Sequence, residues 1–202
     1  MRFLALGDSY TIGEGVADAE RWPVQLAELL YEGGVEFDEL TIVAQTGWTT
    51  AELATGIERE KLKGIYELVT LLIGVNNQYR GLSRETYRQE FVALLEEAIV
   101  FAGGDPSHVI VLSIPDWSVT PFAAEQNRQA DTIAAEIDAF NAINHDEAAQ
   151  RAVHYVDVTT VSRQAGADSA WLAEDGLHPS AKMYGRWARL ALPAARQALS
   201  RD

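Results

Sequence analysis

A doubly wound α/β sandwich, with helices on both faces of a parallel sheet, is the fold class that this sequence predicts. Three observations carry it. Five short apolar runs recur along the chain, amphipathic helical stretches separate them, and Gly, Pro or capping residues mark the joins.

Phe3 to Leu6 is the first strand, and its unbroken apolar character suits burial on both faces of a parallel sheet. Pro23 suits the first turn of a helix carrying Leu26, Leu29 and Leu30, which Gly33-Gly34 stops. Leu40 to Ala44 is the second strand. Thr49-Thr50-Ala51-Glu52 then has capping-box spacing and opens a helix with Leu53 and Ile57 on one side. Leu68 to Ile73 is the third strand, followed by the helical stripe Tyr87, Phe91, Leu94, Leu95 and Ala98, closed by Gly103-Gly104. Val109 to Ile114 is the fourth strand, Ile133, Ile137 and Phe140 a further helical stripe, and Val153 to Val158 the fifth strand. The last helix starts near Ser180 and presents Met183, Trp187 and Leu190, with Pro193 kinking or ending it. No repeat, linker or composition break interrupts this alternation, so residues 1–202 read as one domain large enough to bury a core.

Composition excludes several classes. Sixteen Lys plus Arg against 30 Asp plus Glu give a net charge of −14, which opposes a general affinity for nucleic acid or stable association with anionic membrane. The absence of cysteine removes a disulfide frame, a thiolate nucleophile and Cys-ligated zinc. No run approaches the ~18 apolar residues of a membrane helix. Met1 to Leu6 is too short an apolar run for a signal peptide, so the expectation is a cytoplasmic protein that begins with its first strand. Oligomeric state is not set by the sequence.

In doubly wound sheets the site lies beyond the carboxyl ends of the strands. That narrows the search to the loops 7–15, 45–49, 74–80, 115–121 and 159–178. The first reads Gly7-Asp8-Ser9-Tyr10, with Ser9 just past a strand end, where a sharp turn exposes its hydroxyl; the same tripeptide also serves as a turn in which Asp8 and Ser9 bond local backbone. Gly13-Glu14-Gly15 lacks the third glycine of a dinucleotide fingerprint, and no Walker A lysine follows. The last loop carries Asp175-Gly176-Leu177-His178. A carboxylate three residues before a histidine can bond one ring nitrogen while the other faces a reacting group, and a serine nucleophile needs such a base. The other histidines, His108, His145 and His154, read as structural or solvated. Gly74-Val75-Asn76-Asn77 ends the third strand with either an Asn-rich turn or a side-chain amide able to donate to an oxyanion, and Gly47 after the second is either a turn glycine or an unhindered backbone N–H donor.

Singly these signals are weak; in this order they are specific. Gly7-Asp8-Ser9, then Gly47, then Gly74-Val75-Asn76, then Asp175-Gly176-Leu177-His178 closely resembles the SGNH, or GDSL-type, hydrolases, over nearly the whole chain. The resemblance implies a three-layer α/β/α sandwich with a five-stranded central parallel sheet, the flavodoxin-like SGNH hydrolase fold. It implies a serine esterase that forms an acyl-enzyme on Ser9, with His178 as base and Asp175 as its orienting partner. The Ser9 and Gly47 N–H groups and the Asn76 amide would form the oxyanion hole, with no metal and no organic cofactor. Two departures stand out. Tyr10 replaces the usual Leu and puts a phenol near the site. Asn77 replaces the Asp usual after the oxyanion Asn, so Asn77→Asp is expected to keep most activity.

Trp48, Tyr79 and Trp117 each follow a strand end and are candidates to line an acyl or aryl pocket, or merely to cover the sheet. The expected partner is a small-molecule ester, short-chain acyl, aryl or lysophospholipid-type, and an acyltransferase or thioesterase would use the same triad. A rival of another class is Mg²⁺-dependent phosphoryl transfer on Asp8, Asp116, Asp157 and Asp175, which fall near four strand ends.

Overall fold

The computed structural model describes residues 1–166 and 168–200. Its strands are β1 (Arg2–Gly7), β2 (Glu39–Ala44), β3 (Leu68–Leu72), β4 (Val109–Leu112) and β5 (His154–Val156). They form one all-parallel sheet in the order β2-β1-β3-β4-β5. The winding reverses beside β1, so a crevice opens at the carboxyl ends of β1 and β3. The connections hold α1 (Ser9–Ile12), α2 (Trp22–Glu32), α3 (Thr50–Glu60), α4 (Val75–Tyr79), α5 (Arg84–Phe101), α6 (Pro121–Glu125), α7 (Ala130–Gln150), α8 (Thr159–Ser162) and α9 (Ala181–Ala198). Right-handed crossovers put α2 on one face, where it packs on α9, and the series α3, α5, α7 on the other. The expected three layers are therefore present.

All five expected strands form, and side chains decide where two of them stop. β4 ends at Leu112, two residues early, because Asn141 Oδ1 takes the Ile114 N–H at 2.7 Å. β5 spans only His154–Val156 because Ser113 Oγ captures the Val158 and Thr159 N–H groups at 2.8 and 3.0 Å. The α3 box is as read from the sequence: the Glu52 carboxylate accepts from the Thr49 N–H at 2.8 Å and Thr49 Oγ1 from the Glu52 N–H at 3.4 Å.

Two expectations about the last helix are corrected. Pro193 does not end α9, which continues to Ala198; Tyr184, Trp187, Ala188, Ala191, Ala195 and Ala198 are buried along both sides of the proline, and that packing outweighs its missing N–H. Leu190 lies on the outer face and is exposed, while Tyr184 fills the core beside Trp187. Among the described residues no helix is long and apolar enough to cross a membrane.

Gly7 ends β1 and pairs with Leu72 of β3. A Cβ on Gly7 would sit 2.5 Å from the Leu72 carbonyl oxygen and would overlap the Thr11 hydroxyl. Gly7→Ala is therefore expected to force β1 and β3 apart and to lower stability by about 1–3 kcal/mol. Thermal unfolding checks this, and an unchanged melting temperature would contradict the close approach.

Candidate active site

Ser9 opens α1 directly after β1, and Asp8 caps that helix by accepting from the Tyr10 N–H at 3.0 Å. Both readings of the tripeptide are thus met at once, since Asp8 bonds local backbone while Ser9 reaches the crevice. Asp175 Oδ1 accepts from the N–H groups of Leu177 and His178, both at 2.9 Å, and its Oδ2 lies 2.5 Å from His178 Nδ1. Burial works against the Asp175 carboxylate, but the His178 ring and those two N–H groups outweigh it and hold the pKa below its ordinary value. Such a carboxylate is ionised at neutral pH, so it accepts a proton from Nδ1 and selects the tautomer of the neutral ring that leaves Nε2 as the acceptor.

The donors come from the next two loops. Gly47, at φ +87°, adopts a backbone conformation that favours glycine, and its carbonyl accepts from Arg80 Nη2 at 2.6 Å. Asn76 Nδ2 donates to the Trp48 carbonyl at 2.9 Å, which fixes the amide rotation and leaves its second N–H uncommitted. Among the described residues, neither the Ser9 nor the Gly47 N–H has a hydrogen-bond partner in the protein.

One cavity of about 160 Å³ at the carboxyl end of the sheet is lined by Ser9, Gly47, Asn76 and His178 together. A larger open depression of about 720 Å³ lies at the other end, beside Met1, Glu67, His108 and His154, and includes none of these groups.

The sequence model of the GDSL-like Lipase/Acylhydrolase family matches residues 5–186. The chain belongs to that family. Solved structures with the same fold include TesA (20% identity, TM-score 0.74, covering 98% of this chain and 100% of that one). A lipase/acylhydrolase from Enterococcus faecalis is 19% identical with a TM-score of 0.73, covering 96% of each chain. The acetyl xylan esterase AlAXEase is 15% identical with a TM-score of 0.74, covering 96% of this chain and 99% of that one. No curated protein matches the sequence.

In this GDSL-family chain the aromatic candidates separate. Tyr79 and Trp117 line the cavity, edge to face with ring centroids 5.5 Å apart. Trp48 does not: its ring lies on Gly56 of α3, in contact so close that a Cβ there would overlap it. A bulky ring directly before a capped helix folds onto that helix, and only the Trp48 carbonyl faces the site. Sequence reasoning missed Phe122, Leu177, Val75 and Thr46, which with Tyr10 complete the lining. Phe122 stacks near both Tyr79 and Trp117 at 6.3 and 6.0 Å. Its signal was Thr120-Pro121, the cap and first turn of α6, which aims the following side chain back at the crevice. Tyr10 is buried but borders the cavity, as its place after Ser9 suggested, its ring 5.5 Å from the His178 ring and 6.0 Å from Trp187.

The four strand-end aspartates do not converge. Asp116 caps a turn and pairs with Arg163 at 2.8 Å, Asp157 accepts from Thr160, Asp175 serves His178, and Asp8 is enclosed. Among the described residues, no three His, Asp or Glu side chains are placed to share one metal ion.

Asp8 is fully buried, and burial pushes its pKa up to about 7 although nearby backbone N–H groups work against the rise. In the unfolded chain a carboxyl titrates near about 4. Between those values the folded chain holds a proton that the unfolded chain has lost, so this group's contribution to stability falls as pH rises through the window. Asp8→Asn removes that dependence. Between about pH 5 and pH 8 the wild type should lose melting temperature relative to Asp8→Asn, and parallel profiles would contradict the assignment.

Proposed function

We propose that this chain is a serine hydrolase of small carboxylic esters. The observation that carries the reading is that Ser9, His178, Gly47 and Asn76 line one cavity while Asp175 holds the far side of the His178 ring. Ser9 Oγ attacks the ester carbonyl as His178 Nε2 takes its proton, and Asp175 stabilises the resulting imidazolium. The carbonyl oxygen becomes an anion between the Ser9 N–H, the Gly47 N–H and the Asn76 amide, donors fixed before reaction begins. His178 returns the proton to the leaving alcohol, and water repeats the sequence on the acyl-enzyme to release the acid. None of these steps calls on a metal or organic cofactor. An alcohol or thiol acceptor in place of water would give acyl transfer on the same groups.

Tyr79, Trp117 and Phe122 wall the acyl side. About 150 Å³ is room for one benzene ring, so the part of the crevice beside Ser9, about 160 Å³ and open to solvent, suits a short acyl chain or a single aryl group. Acetyl and aryl esters are thus the favoured substrates over long-chain lipids.

A fluorophosphonate probe should add once, at Ser9, and Ser9→Ala should stay folded while losing both labelling and ester hydrolysis. EDTA should leave hydrolysis unchanged. Labelling at another serine, or activity lost to EDTA and restored by Mg²⁺, would overturn the reading. Asn76→Ala should lower kcat by on the order of 10²–10³ with less change in KM, because its bond matters most once the oxyanion exists.

The aromatic wall gives a separate test on nitrophenyl esters of increasing chain length. Trp117→Ala should shift preference toward longer acyl chains, because its ring fills the cavity. Trp48→Ala should leave chain-length preference in place and lower thermal stability. The reverse pattern would return Trp48 to the pocket.

A further inference from the structure

Asn77 stands beside Asn76 on α4, wholly buried, and its side chain grips Thr50 at two points. The Thr50 N–H donates to Asn77 Oδ1 at 3.1 Å, and Asn77 Nδ2 donates to Thr50 Oγ1 at 2.7 Å. A backbone N–H only donates, so the amide oxygen must face it and the NH₂ must face the hydroxyl. Having accepted from Asn77, the Thr50 hydroxyl gives its own proton to Glu90 Oε2 on α5. The donors therefore run one way, from Asn77 through Thr50 to Glu90.

Thr50 ends the segment that begins at Gly47. Arg80 holds that segment at the Gly47 carbonyl, and Asn76 Nδ2 meets it at the Trp48 carbonyl. The grip on Thr50 thus sets how the Gly47 N–H sits relative to the Asn76 amide.

We infer that Asn77 is a positioning residue for the oxyanion donors, acting through Thr50, and that Asn77 and Glu90 are a matched pair whose hydrogen-bond polarity cannot be changed at one end alone. This rests on the ester-hydrolase reading of Ser9, Gly47 and Asn76. An aspartate at 77, the residue usual in the resembling family, would accept from both the Thr50 N–H and the Thr50 hydroxyl. Glu90 would then lose its donor and face a second carboxylate across one hydroxyl. The expectation that Asn77→Asp keeps most activity is accordingly reversed. Glutamine at 90 repairs the defect, because its NH₂ donates to Thr50 Oγ1 while the Thr50 proton passes to the new aspartate. The donors then run in the opposite direction with every atom satisfied.

The test compares wild type, Asn77→Asp, Glu90→Gln and the double variant by steady-state hydrolysis of nitrophenyl acetate and by the rate of fluorophosphonate labelling. All are measured below the unfolding transition of every protein. Asn77→Asp should lower kcat by about tenfold or more, with little change in KM, and should slow labelling at Ser9. Glu90→Gln alone should lose less, because a rotated amide still presents its oxygen. The double variant should recover most of the kcat that Asn77→Asp loses. Wild-type kcat in Asn77→Asp, or a fall in its melting temperature with kcat intact, overturns the positioning role. A double variant as slow as Asn77→Asp overturns the matched pair and assigns the loss to the field of the new carboxylate on the oxyanion. An unmodified chain that neither hydrolyses esters nor labels at Ser9 overturns the functional reading itself and this inference with it.

Discussion

The closeness of two backbones at Gly7 is the constraint on which the placement of the site depends. With only a hydrogen in the way, β1 lies against β3 in the register that sets Gly7 opposite Leu72. Ser9 and Asn76 therefore follow the ends of neighbouring strands, two and four residues past that pair, and line one cavity. Side chains alternate between the faces of a strand, so a slip of one residue in this register would turn every β3 side chain to the opposite layer. The core enforces the alignment, because β1 beyond Arg2 and all of β3 are buried. Stability of the sheet and geometry of the crevice are thus one requirement.

Above the strand ends, where ladder bonds stop, the loops are joined by side chains. Thr46 donates to Glu14 and so ties the loop after β2 to the loop after β1. Asn76, Asn77 and Arg80 tie the start of the β3 connection to the loop after β2. Gln78 accepts from Trp117 Nε1 at 2.9 Å and holds the aromatic wall in place. Bonds of this kind occupy polar groups that would otherwise be free to rotate, while the Ser9 and Gly47 N–H groups stay without a partner among the described residues. Preorganised donors stabilise a developing charge without reorganising as it forms.

Two carboxylates near the cavity sit in opposite environments. Asp175 faces a ring nitrogen and two N–H groups and is held ionised. Asp8 is enclosed next to Ser9, one of its oxygens has no partner, and burial favours its protonated form. The Tyr10 phenol beside it is likewise kept neutral by burial. These polar groups weaken the fold locally, at the point where α1 must turn sharply to present Ser9. Large apolar packing elsewhere, including Leu26, Leu30, Ala188 and Ala191 on the α2–α9 face, offsets that loss.

The sequence by itself determined the strands, the main helices and the order of the blocks, because these rest on local signals: apolar runs, helical stripes, a capping box and glycines at forced turns. It also marked the blocks that meet at the candidate site, since Gly7-Asp8-Ser9, Gly74-Val75-Asn76 and Asp175-x-x-His178 are each contiguous. What it left open was set by contacts between residues far apart in the chain. Trp48 turned onto Gly56 and away from the cavity, and Phe122 entered from the first turn of α6. The ends of β4 and β5 were fixed by Asn141 and Ser113, acceptors borrowed from other elements. Asn77 looked like a family substitution open to reversal, and only its bonds to Thr50, with Glu90 beyond, showed what an amide does there. A hydrogen bond has a direction, and that direction is decided by the partners that the tertiary fold supplies.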